Sequence, residues 1–540
     1  MKKVLYNGKV YVDRDVFEEA VLVEDGRIAA VGKNDEILSM AEGADQIDCE
    51  GRTVIPGFND SHMHLVYVGE AMLNVDLSGC KSVEEMVEKC IAFRKENPEF
   101  TKNGLFSQSW NQDHFDPDKR RLPNRHDLDK IATDIPVVLA RICGHSSTAN
   151  SKALEMMGLT KENNKIEGGD VILEEDGSPS GYLCENAAFA AHMIVPPLTI
   201  EQRKLALLKA MEYAVSHGIT SVQSNDVGTI IPDRKEAYEM VKSLYEEGKA
   251  LLRYHSQVGC PTMEDLKAYI ESPEFLEESY DGWFSVGPLK MFKDGSLGAR
   301  TATVRHEYLD DPGNYGVETT DDKKQQEMVD YAAAHGLQVV THVIGDDAIE
   351  KTTAAYAKTY EGDKNDLRHC LIHCQITDLP LLKYIKKSGV LIAYQPIFLQ
   401  TDLHAIESRC GKELSSTFLA MKTARDLDIR ASYGSDSPVE DCNPFPCVYC
   451  AVNRKDQTGF PEGGFYPKEC VDVPAAIDAY TVESAYMEFK EDVKGRIKPG
   501  YYADMVVLDQ DIFSVDPMKI KDILPVLTMV GGKVVYQSAE

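Results

Sequence analysis

The sequence predicts an α/β protein: a (β/α)8 barrel of the TIM type, joined to a small β-sandwich domain made from both chain ends. Three observations lead there. Eight apolar, β-rich runs alternate with helical stretches, the pattern of parallel strands covered on both faces. Both ends carry short strands around tight-turn dipeptides. Polar side chains of metal-ligand type recur just past the ends of five of the eight runs, where barrels build their active sites.

Taken in order, residues 1–52 read as short strands (Val4-Leu5-Tyr6, Val10-Tyr11-Val12, Ala20 to Val23, Ile28 to Val31) with hairpin turns at Asn7-Gly8 and Asp25-Gly26. Residues 485–540 repeat the style, with Ala503 to Leu508 and Leu527 to Tyr536 around Gly531-Gly532, so the two ends are expected to share one β-sandwich. Between them, 53–484 hold the barrel. Its eight strands are expected at Thr53–Pro56, Ile219–Val222, Leu251–Tyr254, Leu289–Phe292, Leu337–Thr341, Arg368–Ile372, Val390–Tyr394 and Ile429–Tyr433. The gap at 66–205 is too long for a loop and reads as an inserted subdomain, attached where it could wall a substrate pocket. A capping box, Thr199-Ile200-Glu201-Gln202, opens the helix that follows it.

Bulk composition excludes several classes. With 540 residues the chain has more than one structural unit. Its formal charge of -30 repels a phosphate backbone and makes nucleic acid an unsuitable partner. No apolar run is long enough to cross a bilayer, and Asn7, Gly8 and Lys9 break the start before a signal core forms. Thirteen scattered cysteines suit a reducing cytoplasm, and Cys442, Cys447 and Cys450 lack a fourth ligand at zinc spacing, since Cys470 stands too far off. Nothing in the sequence fixes whether the chain forms a homo-oligomer.

The chemistry centres on His62 and His64. In extended chain, residues two apart point to one face and can share an ion. Singly, His342 reads as a core histidine and Asp436 as a helix cap. With Lys290 and His373 they fall at one barrel face, and their joint position favours a metal site.

The motifs that carry these residues resemble the amidohydrolase superfamily, and within it the YtcJ-like group of the amidohydrolase 3 family, which includes N-substituted formamide deformylases. The resemblance runs through Pro56 to His64, Gly144-His145-Ser146 with Asn150 to Leu154, Leu289 to Thr301, Thr341 to Asp346, Gly434-Ser435-Asp436 and Gly495 to Asp504. It implies a small-molecule hydrolase with one or two divalent ions, zinc foremost. His62, His64 and Asp436 would hold one ion and His342 and His373 a second, with Lys290, carboxylated by carbon dioxide, between them. Water activated there would attack an amide carbonyl, and Asp436 would carry the proton to the departing nitrogen. Ile372 stands where relatives carry Glu, which bears on the tuning of the neighbouring His373.

Outside that set, His145 is expected to contact substrate or its developing oxyanion, with Trp110, Glu185, Arg300 and Gln395 as pocket candidates. Lys290 and Lys293 are three apart on one strand, so only one faces the site; Lys290 shares its side with Phe292 and Asp294, and Lys293 points outward. The favoured activity is hydrolysis of a non-peptide carbon–nitrogen bond, such as an N-formyl or N-acyl amide. Ester, lactone or deaminating hydrolysis on the same metals, and a non-catalytic assembly protein, are the competing readings.

Overall fold

The computed structural model describes residues 2–141 and 145–539. They form two compact units, Met1–Val68 with Leu207–Glu540, and Gly69–Ala206. In the first, eight parallel strands lie side by side in chain order: β1 (Phe58–Met63), β2 (Ile219–Ser224), β3 (Arg253–Gly259), β4 (Phe284–Phe292), β5 (Val339–Val343), β6 (Cys370–His373), β7 (Leu391–Tyr394) and β8 (Ala431–Tyr433). Helices between successive strands cover the outside, as in the amphipathic segment Leu379–Ser388, capped by Asp378 and ended by left-handed Gly389. No strand ladder joins β8 to β1. The gap is bridged past the strand ends, where the Asp436 N–H donates to the His62 carbonyl and the His64 N–H to the Ser437 carbonyl, both at 2.8 Å.

The barrel is as predicted, but its first strand is not Thr53–Pro56. That run pairs with Lys9–Asp13 and Met505–Leu508 in the terminal domain, and the barrel strand begins two residues later. Gly57 makes the step: a Cβ there would lie 2.2 Å from the Thr220 side chain. The true strand, Phe-Asn-Asp-Ser-His-Met, is polar yet wholly buried because its side chains build the site, so it lacks the apolar signature. The third strand is displaced for the same reason, running to Gly259 through His255, Ser256 and Gln257.

The two chain ends make a sandwich of two sheets. One orders Arg27–Gly32, Ala20–Glu24, Lys2–Tyr6 and Asp45–Asp48; the other orders Lys533–Gln537, Pro525–Val530, Met505–Leu508, Thr53–Pro56, Lys9–Asp13 and Val16–Glu18. Leu5, Val21 and Val23 from the first meet Val54, Met505 and Met529 from the second in one core. Asp25-Gly26 and Gly531-Gly532 are hairpin turns with positive φ, as expected. Asn7-Gly8 is not, because Lys2–Tyr6 and Lys9–Asp13 lie in different sheets; its left-handed Asn7 carries the chain across the sandwich.

The second unit is built on a five-stranded sheet, ordered Gly169–Leu173, Pro179–Glu185, Ser146–Ala149, Val137–Arg141 and Leu105–Trp110. Alternation sends Val137 and Leu139 into one apolar cluster and Val138 into another, so both faces are covered. The helix Ile200–Ser216 opens with the predicted box: the Gln202 N–H donates to Thr199 Oγ1 at 3.3 Å, and Gln202 Oε1 accepts from the Thr199 N–H at 2.9 Å. Among the described residues, no helix is long and apolar enough to cross a membrane.

A buried ion pair fastens sandwich to barrel. Arg253 on β3 donates to both oxygens of Asp504, at 2.7 and 3.2 Å, and its guanidinium lies 3.7 Å from the Tyr502 ring centroid. Arg253→Met leaves the carboxylate buried without its cation. We expect a loss of about 3–5 kcal/mol in denaturant unfolding, with part regained in the Arg253→Met, Asp504→Asn double variant; a single variant as stable as wild type would show that the pair carries no such weight.

Candidate metal centre

Four of the predicted ligands meet at the carboxyl end of the barrel. Asp436 Oδ1 lies 3.3 Å from both His62 Nε2 and His64 Nε2, and its Oδ2 lies 4.0 Å from His373 Nε2. The ligand atoms of His62, His373 and Asp436 fall within 4.8 Å of one another, and all three residues are buried.

Local backbone brings them there. On β6, Ile372 packs into the interior cluster with Val340, Cys370 and Ala393, so plain strand alternation would turn His373 outward. Instead His373 has a φ of 76° and Asp436 a φ of 57°, left-handed values that re-aim both side chains. Asp60 fixes the Asp436 loop: its carboxylate accepts from the Ser435 hydroxyl at 2.6 Å and from the Ser435 and His62 N–H groups at 3.1 Å. Gly434 permits that approach, since a Cβ there would sit 2.6 Å from the His62 nitrogen.

Each ring is held by its other nitrogen. His62 Nδ1 pairs with Gln257 Oε1 at 2.8 Å, His64 Nδ1 with the Asn225 carbonyl at 2.7 Å and His373 Nδ1 with Gln395 Oε1 at 2.7 Å. These partners only accept, so Nδ1 carries the proton and Nε2 presents its lone pair inward. Burial brings His62 down to about 4 and His373 well below the usual imidazole range. Burial is also the largest influence on His64 and depresses it, but Asp436, the nearby Asp226 carboxyl and the Asn225 carbonyl together outweigh it and raise the ring above the usual imidazole value. Asp436 would be pushed up by burial; the His62 and His64 contacts win and hold it well below the usual carboxylate range. Among the described residues, His373 Nε2 is buried with no hydrogen-bond partner. Two imidazoles held uncharged by burial, a third beside them and an ionised carboxylate, with one nitrogen unmatched, fit a divalent cation.

The remaining predicted residues have partners of their own. The His342 ring meets His373 edge to face, centroids 4.5 Å apart, but its Nε2 contacts the Gly295 carbonyl at 3.0 Å rather than Asp436. Lys290 is buried, its ammonium 3.8 Å from the Phe292 ring centroid, and burial lowers it to about 7. Lys293 points the other way, to Glu318 and Asp322 at 2.5 Å. Asp294 accepts from the N–H groups of Thr303, Ile344 and Gly345 and lies 3.9 Å from His342 Nε2. Gln395 is fully buried and its oxygen holds His373, while its Nε2 has no hydrogen-bond partner among the described residues. The Trp110 indole lies inside the core of the second unit with its N–H on the Leu139 carbonyl at 2.9 Å. His145 and Glu185 are exposed and pair at 3.0 Å within that unit; Gly144 of the same motif lies outside the described residues. Arg300 is engaged by Asp310 in its own loop, at 3.0 and 2.7 Å. Gln257, Asn225 and Asp60 were missed: isolated amides carry no spacing signal, and Asp60 sat unassigned two residues before His62.

The amidohydrolase family model matches residues 45–536. The chain is 32% identical to YtcJ of Bacillus subtilis (strain 168), over all of both chains. It is 29% identical to the protein LONG AFTER FAR-RED 3 of Arabidopsis thaliana, across 98% of this chain and 91% of that one. It is 25% identical to the N-substituted formamide deformylase of Arthrobacter pascens, across 97% and 96%. Among solved structures, an uncharacterised metal-dependent hydrolase from Pyrococcus furiosus superposes with a TM-score of 0.77 at 28% identity, covering 95% of this chain and 100% of that one.

If the amide oxygens orient the rings, Gln257→Leu and Gln395→Leu should each weaken metal affinity by about 10- to 100-fold with the fold intact. Competition with a chromogenic chelator measures this; unaltered affinity in both variants would mean that packing alone sets the rings.

Proposed function

Because the chain belongs to the amidohydrolase family, we propose that this metal-dependent hydrolase cleaves a non-peptide carbon–nitrogen bond, with N-formyl and other N-acyl amines as its substrate class. The observation that carries the reading is the convergence of three imidazole Nε2 atoms on one buried, ionised carboxylate. His62, His64, His373 and Asp436 would hold a divalent ion, and zinc suits their nitrogen and oxygen donors. When bound, such an ion polarises the scissile carbonyl and acidifies water. The likeness to a formamide deformylase supports the choice of acyl group.

The rest of the chemistry belongs to the chain. Asp436 accepts a proton from the attacking water at a carboxylate oxygen and delivers it to the departing nitrogen, which leaves as an amine. Its low proton affinity keeps it ready as a base at neutral pH. Gln257, the Asn225 carbonyl and Gln395 keep the rings turned inward while charge develops. Lys290, desolvated and partly neutral near pH 7, is a nucleophile for carbon dioxide: nitrogen adds to carbon, a proton leaves, and a carbamate results. His342 would join it at a second ion by exchanging its Gly295 contact. His145, with Glu185, is proposed to contact substrate.

Metal-loaded protein tested against N-formyl and N-acetyl amines should turn over at least one of them. Asp436→Asn should cut that rate about a hundredfold or more. Turnover confined to esters, lactones or ring amines would replace the amide reading, and near wild-type rates in the variant would move the proton to another group.

Lys290→Ala should lose activity and the second equivalent of metal, with partial rescue by short carboxylic acids, whereas Lys293→Ala should be mild. The reverse order of severity would remove Lys290 from the site.

A further inference from the structure

A cavity of about 300 Å³ opens at the other end of the barrel, below the amino ends of β3 to β6. Leu276, Val286, Pro288, Leu367 and Phe489 form apolar walls, and a Lys490–Glu278 ion pair, 2.6 Å long, stands at the rim. Its inner end is polar. His255 and Glu488 line it, both more than nine-tenths buried.

The atoms there are half used. His255 Nδ1 bonds Ser285 Oγ at 2.8 Å, and Glu488 Oε1 takes Asn59 Nδ2 at 2.6 Å and the Lys494 ammonium. Among the described residues, no hydrogen bond reaches His255 Nε2 or Glu488 Oε2, and Oε2 lies 3.9 Å from His255 Nδ1. Burial holds His255 near 4, so the ring is uncharged. Both residues line the cavity, so a donor from outside the chain can reach the second carboxylate oxygen. The cavity lies in the size range of small-ligand sites, and its walls match a hydrocarbon or aromatic body.

We propose that this cavity is a second binding site, distinct from the metal centre, for a small primary amine with an apolar body. The amine head donates to Glu488 Oε2 and His255 Nε2, and the body fills the space between Leu276, Leu367 and Phe489. The cavity and the metal centre share two strands. His255 stands two residues before Gln257, which holds His62, and Asn59, the partner of Glu488, stands three before His62 on β1. The inference rests on the cavity alone and stands whichever bond the metal centre cleaves.

Benzylamine is the probe, with toluene as its headless control, titrated into the metal-loaded full chain by saturation-transfer NMR. Saturable benzylamine binding, with toluene about tenfold weaker or worse, is the expected result. Leu367→Trp and Leu276→Trp, which fill the cavity from two sides, should each weaken binding about tenfold or more and leave metal content and turnover unchanged. A crystal of the wild type soaked in 4-bromobenzylamine should place bromine between Leu276 and Leu367, and this decides the matter if a Trp variant fails to fold. No saturable binding, binding untouched by both Trp changes, or bromine only at the metal centre would each overturn the proposal.

Discussion

The seam between β8 and β1 is the constraint on which the rest of the site depends. Seven of the eight junctions around the barrel are strand ladders, but this one is held by two backbone bonds just beyond the strands. Those bonds are made by His62, His64, Asp436 and Ser437, the residues of the centre and their neighbour. Closing the barrel and assembling the ligands are therefore one event. Asp60 reinforces it from beneath, a buried carboxyl pushed up to about 7 by its burial although three donors reach it. Its task is to hold the loop after β8 against β1, where a ladder would otherwise run.

Around that seam the polar groups divide by task. The carboxylate that faces the imidazoles is ionised, while the groups that hold the rings are uncharged amides or a carbonyl. An uncharged holder lets each ring keep its proton on Nδ1 without drawing the ring toward imidazolium, as a carboxylate partner would. Asp294 does for β4 and β5 what Asp60 does for β1 and β8, gathering three N–H groups beside His342. Buried acids thus serve as brackets for backbone.

The barrel and the terminal sandwich were legible because they rest on pattern: apolar runs, helical periods and turn dipeptides. The strands that failed are those that build the site. Phe58–Met63 and Arg253–Gly259 are polar strands buried on all sides, so they surrendered the apolar signal to neighbours such as Thr53–Pro56. Asn7-Gly8 has the same local chemistry as Asp25-Gly26, and only tertiary pairing separates a sheet crossing from a hairpin. His373 was found by its kind and place, yet alternation would have turned it away; its left-handed backbone leaves no mark in the sequence. For Trp110 the sequence cannot separate a pocket wall from plain packing; in the fold one carbonyl and a full apolar cluster surround its indole.

The sandwich formed from both chain ends sets an order on how the protein comes into being. Thr53–Pro56 needs Met505–Leu508 along one edge, and the two are separated by almost the whole chain. As the polypeptide leaves the ribosome, the amino-terminal strands therefore wait with an apolar face and an open edge until the last segments emerge. Asp504, which grips Arg253 of the barrel, arrives only then. The nascent chain must be sheltered from its neighbours for most of its synthesis, and a ribosome that stalls late would release a barrel attached to half a sandwich, a ready target for proteolysis.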